Sequence, residues 1–381
     1  MAISFNNISI GSGVGLTITP PPSSVYLWSW GRNNFGQLGL ENTTNTSSPS
    51  QIGALTTWSA ISGTHGNHSI SIKTDGTMWS WGRNNLGQLG LGNTTNRSSP
   101  VQVGALTNWL TVSSGYTHSI AIKTNGTIWS WGDNTEHGQL GLGNTTNVSS
   151  PTQIGALTDW SKIGVGMFHN LAIKTDGTLW GWGNNNYNGS LGLGNKTTSY
   201  SSPKQIGSLT TWSSVSAGGY NSHAIKTDGT MWVWGNGANG RLGLGDTTER
   251  LSPVQVGAST NWSSISAGSN HVLAVKTDGT MWSWGYNSYS DRGGRLGLGD
   301  TVHRSSPSQI GSLTTWSNIS AGDTHSMAIK TDGTMWSWGA NYSYGQLGQG
   351  NTTHRSSPVQ IGALTTWLKV SASRYHTMAI G

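Results

Sequence analysis

The tetrapeptide Trp-x-Trp-Gly recurs seven times, beginning at Trp28, Trp79, Trp129, Trp180, Trp232, Trp282 and Trp336, at intervals of 50 to 54 residues. A third tryptophan follows in each interval, at Trp58, Trp109, Trp160, Trp212, Trp262, Trp316 and Trp367, which accounts for all 21 in the chain. Self-similarity at this period marks a solenoid or a propeller, in which each unit buries its apolar face only against its neighbours. A chain of 381 residues then needs no division into two or three ordinary domains.

Within one repeat the pattern is that of short strands. Residues 101–103 and 109–112 are apolar or β-branched runs, residues 119–123 alternate Ile120 and Ile122 with small side chains, and residues 127–131 carry Trp129 and Trp131 on one face. Asn125-Gly126 separates the last two, and Asp75-Gly76, Asp176-Gly177, Asp228-Gly229, Asp278-Gly279 and Asp332-Gly333 are its counterparts. Such pairs between alternating runs signal a hairpin, because both residues tolerate positive φ. Helical periodicity is absent. The expected fold is all-β, a seven-bladed β-propeller of four-stranded antiparallel blades. The last repeat passes through residues 376–380 and stops, while residues 27–31 carry the strand it lacks. A composite blade made from both termini is expected to close the ring and remove its open edges. The domain organisation expected is an N-terminal arm, residues 1–24, and a propeller, residues 25–381.

Residues 79–90 read Trp-Ser-Trp-Gly-Arg-Asn-Asn-Leu-Gly-Gln-Leu-Gly, followed by Ser98-Ser99-Pro100 and then by Gly115, His118 and Ala121 before the next hairpin. This order, repeated in all seven units, resembles the regulator of chromosome condensation repeat. The resemblance implies a seven-bladed propeller. It also implies a family whose activities include guanine-nucleotide exchange on a small GTPase, ultraviolet photoreception in plants, enzyme inhibition in bacteria and scaffolding. Fold alone does not choose among them. Exchange in the family uses a β-wedge insertion, and the longest excess here, residues 286–294, is short for one. The plant photoreceptor carries coupled tryptophans just before the repeat histidine, where this chain has Tyr116-Thr117, Met167-Phe168, Ser269-Asn270, Asp323-Thr324 and Arg374-Tyr375.

Composition excludes several other classes. The 20 Lys and Arg against 14 Asp and Glu give a net charge of +6, but the basic residues are scattered singly, so no nucleic-acid partner is expected. Without cysteine there is no disulfide framework, thiolate metal site or cysteine nucleophile. No run approaches the twenty apolar residues of a membrane span, and the chain start lacks a signal-peptide pattern. A virion or the cytoplasm is the expected location. The turn at residues 87–92, Gly-Gln-Leu-Gly-Leu-Gly, is followed by Asn-Thr-Thr and not by the helix a phosphate cradle needs. Five carboxylates sit in hairpin turns, and no Gly-x-Ser-x-Gly elbow occurs. His68, His118, His169, His271, His325 and His376 recur once per unit and are expected to be buried imidazoles bonded to neighbouring backbone, with Asn221 filling the same role in the fifth unit. No catalytic residue, cofactor or metal is expected, and the chain is not expected to be an enzyme.

What varies between units is the better guide to function, because packing residues should repeat and binding residues should not. The positions before each histidine include Tyr116, Phe168, Tyr220, Asn270, Asp323, Arg374 and Tyr375, which should form a ring of loops on one propeller face. A second variable set follows Trp-x-Trp-Gly and includes His137, Tyr286, Tyr289, Arg292, Tyr342 and Tyr344. Aromatic residues and arginine dominate binding hot spots. The arm joins apolar residues such as Ile3, Phe5 and Ile8 to Pro20-Pro21-Pro22, and assembly through it is expected. The expected function is a non-catalytic binding or structural propeller with a protein or surface partner, as a viral or bacterial structural component. The alternative is a guanine-nucleotide exchange factor for a small GTPase.

Overall fold

A computed structural model describes residues 25–186, 188–289 and 292–381. The expected arm, residues 1–24, lies outside them. Seven four-stranded antiparallel sheets form the blades, numbered here from the N-terminus. In blade 3 the order is Trp109–Ser114, His118–Lys123, Ile128–Gly132 and Val148–Gln153. Blades 2, 4, 5, 6 and 7 repeat it, starting from Trp58, Trp160, Trp212, Trp262 and Trp316.

Blade 1 is the composite one, and its construction differs from the expectation. Each end of the chain contributes two strands, in the order Thr46–Gln51, Leu27–Gly31, His376–Ile380 and Lys369–Ala372. Leu27 pairs with Ile380 and Gly31 with His376, so the seam is an ordinary antiparallel ladder. The sequence pattern groups residues 101–103 with the strands after them. They instead end and follow the outer strand Arg97–Gln102, which completes blade 2. That strand begins in polar Arg-Ser-Ser-Pro, and proline is tolerated there because an outer strand leaves one side of its backbone unpaired.

The innermost strand of each blade, the first in blades 2 to 7 and Lys369–Ala372 in blade 1, lines the axis, and serines join neighbours. Ser216 Oγ accepts from Ala267 N at 2.9 Å, Ser266 Oγ from Ala321 N at 2.9 Å, and Ser320 Oγ from Ala372 N at 2.8 Å. Between blades lie the tryptophans. The second Trp of each Trp-x-Trp-Gly is fully buried, and its indole N–H crosses to the preceding blade, as Trp131 Nε1 does to the Gln88 carbonyl at 2.9 Å. Trp109 meets Trp129 and Trp131 edge-on at 6.0 and 6.3 Å between ring centroids, a favourable aromatic geometry.

The hairpin glycines latch one blade to the next. Gly126 has φ +77°, and a Cβ on it would stand 2.0 Å from the Thr158 carbonyl of the following blade's loop. Gly126→Ala combines left-handed strain with that clash, and a loss of about 2–3 kcal/mol is expected from the denaturant midpoint. Asn125→Asp, which copies the other hairpins, should stay within about 0.5 kcal/mol of the parent.

Candidate functional site: the loop face

In an antiparallel four-stranded blade the loops after the first and third strands emerge at the same end. The two variable sets therefore meet. Their backbones are bonded together in every blade, for example Asp133 N to Thr117 O at 3.0 Å, Asn184 N to Phe168 O at 2.9 Å and Arg32 N to Tyr375 O at 2.9 Å.

Beneath these loops the repeat histidines form a ring of links between blades. His68 Nε2 lies 2.9 Å from Ser119 Oγ, His169 Nε2 2.9 Å from Ser222 Oγ, His271 Nε2 2.8 Å from Ser326 Oγ and His325 Nε2 2.9 Å from Thr377 Oγ1. The expected backbone partner is thus replaced by a side chain of the next blade. Each hydroxyl donates its own proton to a loop carbonyl, as Ser119 does to Gln88 O at 2.9 Å. The imidazole must then donate from Nε2, which makes it the neutral Nε2–H tautomer. Burial holds His68, His169, His325 and His376 down at about 3 and His118 at about 4. The ring breaks between blades 5 and 6. Asn221, expected to substitute for histidine, has a side chain with no hydrogen-bond partner among the described residues, and the position opposite, Val272, has no hydroxyl.

Above the ring, three sequence-predicted residues of consecutive blades form an aromatic arc: Tyr116 and Phe168 are 5.8 Å apart and Phe168 and Tyr220 6.0 Å apart. His137 joins Phe168 at 5.8 Å. The Arg374 guanidinium sits 5.2 Å from the Tyr116 ring and 5.1 Å from Tyr375, and donates to the Tyr116 hydroxyl at 2.9 Å. Tyr375 in turn packs on Tyr344 at 5.5 Å and Tyr342 at 6.2 Å. Arg32, absent from the sequence expectation, stacks on Tyr344 at 5.2 Å. Tyr342, Tyr344, Tyr375, Arg374, Asn341 and His354 line an open cleft of about 840 Å³. The Asn270 carbonyl holds Tyr286 N at 2.9 Å. Tyr289 and Arg292 belong to a two-residue hairpin, Ser288–Tyr289 with Arg292–Gly293, whose backbone alone is described.

The axis carries a residue that sequence reasoning left among the loops. His65 of blade 2 is 0% exposed; its Nε2 lies 3.2 Å from Ala217 O of blade 5, and its Nδ1 lies 3.4 Å from both Asp323 Oδ1 of blade 7 and Ser269 Oγ of blade 6. Only a side chain crossing the axis reaches all three. Asp323 also accepts from the Ser269 hydroxyl and faces Arg374 Nε at 3.6 Å. Serine and aspartate stand on the same imidazole nitrogen, so this cluster lacks the relay of a nucleophilic triad. The sequence signal was there: Trp58 to His68 spans ten residues where the other repeats span nine.

No helix among the described residues is long and apolar enough to cross a membrane. The comparisons agree with the architecture. The ultraviolet-B receptor UVR8 of Arabidopsis thaliana is 34% identical over 323 residues, covering 82% of this chain and 72% of that protein. HERC4 of Homo sapiens is 32% identical over 77% of this chain, which spans only 28% of HERC4. Among solved structures, Prp20p of Saccharomyces cerevisiae, described with its binding to Gsp1p and histones, has a TM-score of 0.80 at 19% identity, covering 94% of this chain and 92% of that one. Human WBSCR16 has a TM-score of 0.82 at 20% identity, over 94% and 99%. Those two likenesses concern fold. The plant and mammalian relatives lend no support to a virion component. Residues 112–379 match the RCC1-like domain and residues 26–71 and 75–122 the regulator of chromosome condensation (RCC1) repeat, so the chain belongs to the RCC1-repeat family of propellers.

Proposed function

We propose that this propeller is a non-catalytic binding module that presents its loop face to a protein partner. One observation carries the reading: the two sets of positions that escape the repeat converge on one face as a continuous arc of aromatic rings and arginines. The four strands and the buried tryptophans beneath recur in every blade, so selection for packing alone does not account for the arc. Support also comes from the relatives, since Prp20p is described as binding Gsp1p, histones and Kap60. Guanine-nucleotide exchange on a small GTPase is the weaker reading, because the hairpin at Ser288–Tyr289 and Arg292–Gly293 is far smaller than a wedge.

The test compares the full chain with a variant carrying Tyr116→Ala, Phe168→Ala and Tyr375→Ala, and with a rim variant, Leu106→Ser and Leu364→Ser, in quantitative affinity capture. Truncating a hot-spot aromatic costs about 2 kcal/mol or more, or at least roughly 30-fold in affinity. Partners should therefore be lost from the loop-face variant and kept by the rim variant. Equal retention by both would overturn the reading, as would a turnover activity abolished by the loop substitutions.

A further inference from the structure

The Gly-x-Leu-Gly turn carries Gln37, Gln88, Gln139 and Gln346 in blades 1, 2, 3 and 7, but Arg241 and Arg295 in blades 5 and 6. Arg295 is 2% exposed. Its Nη1 donates to the Asp323 carbonyl at 2.8 Å, while Nε and Nη2 have no hydrogen-bond partner among the described residues. Neither arginine forms an ion pair among the described residues. Asp323, the acid whose field reaches Arg295, spends its carboxylate on Ser269, His65 and Arg374. A buried, unneutralised guanidinium is costly, and it favours any arrangement that brings an anion to it.

The unpaired atoms have a specific geometry. Nε–H and Nη2–H lie along one edge of the planar guanidinium and point the same way, which is the fork that holds a carboxylate or phosphate by two parallel hydrogen bonds. The Tyr286 ring lies 4.9 Å over this group, and Thr324, the neighbour of the Asp323 whose carbonyl Arg295 binds, lines the 840 Å³ cleft with Tyr342 and Tyr375. Arg241, 6% exposed, is near enough for the two positive charges to repel. We propose that Arg295, with Arg241 beside it and Tyr286 as its cover, is an oxyanion site at the edge of the loop-face cleft. The group it takes is a carboxylate or a phosphate. Tyr286 must turn aside for the anion to enter. Use of the site by a protein partner rests on the loop-face reading; the site itself is tested without any partner.

The first measurement is the thermal midpoint of the full chain against inorganic phosphate, with sodium chloride at matched ionic strength as the control. The midpoint should rise with the logarithm of phosphate concentration in the parent and stay flat in Arg295→Gln. That variant restores the residue that four other blades carry, and circular dichroism checks its fold. A second arm replaces phosphate with acetate, and then with a short peptide bearing glutamate or phosphoserine, to separate a free anion from an acidic side chain; at least tenfold weaker binding to Arg295→Gln is expected for whichever binds. Parent and Arg295→Gln responding alike, or no response to any of these anions beyond that to chloride, overturns the site. A phosphate response that persists while no partner distinguishes the loop-face variant would leave the site standing and the loop-face reading lost.

Discussion

Acidifying this protein from pH 7 should unfold it cooperatively between about pH 5.5 and pH 5. The cause is the histidine ring together with His223, which is also fully buried, on the second strand of blade 5. In the folded chain His68, His169, His325 and His376 are held at about 3, His118 and His223 at about 4, and His271 well below 6.5, all by burial first. Their unfolded value is near 6.5, so below it the unfolded chain binds protons that the folded one refuses. The stabilisation is therefore complete above pH 6.5 and is lost as pH falls toward the folded values. Each group contributes a slope of about 1.4 kcal/mol per pH unit, so seven such groups approach about 10 kcal/mol per unit, against total stabilities of about 5–15 kcal/mol. The geometry gives the same sign. Protonation would add an Nδ1–H, and the Nδ1 atoms of His68, His118, His271, His325 and His376 have no hydrogen-bond partner among the described residues. Hairpin aspartates such as Asp75, held low by hydrogen bonds from the following threonine, stay ionised across this window. Thermal melts from pH 7.5 to 4.5, with proton uptake from calorimetry in two buffers, check it. A midpoint below pH 4, or uptake of fewer than about two protons, would refute it.

The blade count and the hairpins were legible because both are local or periodic. Asn125-Gly126 announces its turn within two residues, and seven copies of Trp-x-Trp-Gly announce seven blades. The outer strand Arg97–Gln102 was harder, since Arg-Ser-Ser-Pro has neither alternation nor β-branched residues, and tertiary pairing with Met78–Gly82 decides it. That displaced strand is also why the seam was expected to borrow one strand from the N-terminus and in fact borrows two. The partners of the histidines were not legible at all. His68 and Ser119 are 51 residues apart, and nothing in one unit says which residue of the next will face it. The arc Tyr116, Phe168 and Tyr220 could be foreseen because equivalent loops of consecutive blades are neighbours. The Arg374 to Tyr116 contact joins blades 1 and 3, and depends on how far each loop leans toward the axis.

His65→Ala should cost about 3 kcal/mol, although His65 lies in a loop and repeats in no other blade. A sevenfold ring cannot fill its own axis with seven equal side chains, because only one can stand there. Some blade must break the symmetry, and the extra residue between Trp58 and His68 lets blade 2 do so. His65 then bonds blade 5 through Ala217 O and blades 6 and 7 through Ser269 and Asp323. Both ring nitrogens face oxygen atoms; a hydrogen bond with the neutral Ala217 carbonyl is worth about 0.5–1.5 kcal/mol and one with the charged Asp323 about 1.5–3 kcal/mol, with a further penalty for the cavity. Substitution also leaves Asp323 with Ser269 and Arg374 but without its axial partner. The decisive measurement is a double-mutant cycle with Asp323→Asn. A coupling of at least about 1 kcal/mol between the two is expected, since they share one network. Additivity within about 0.5 kcal/mol would mean that the imidazole merely occupies space, and that the blades on opposite sides of the axis are held by their tryptophan seams alone.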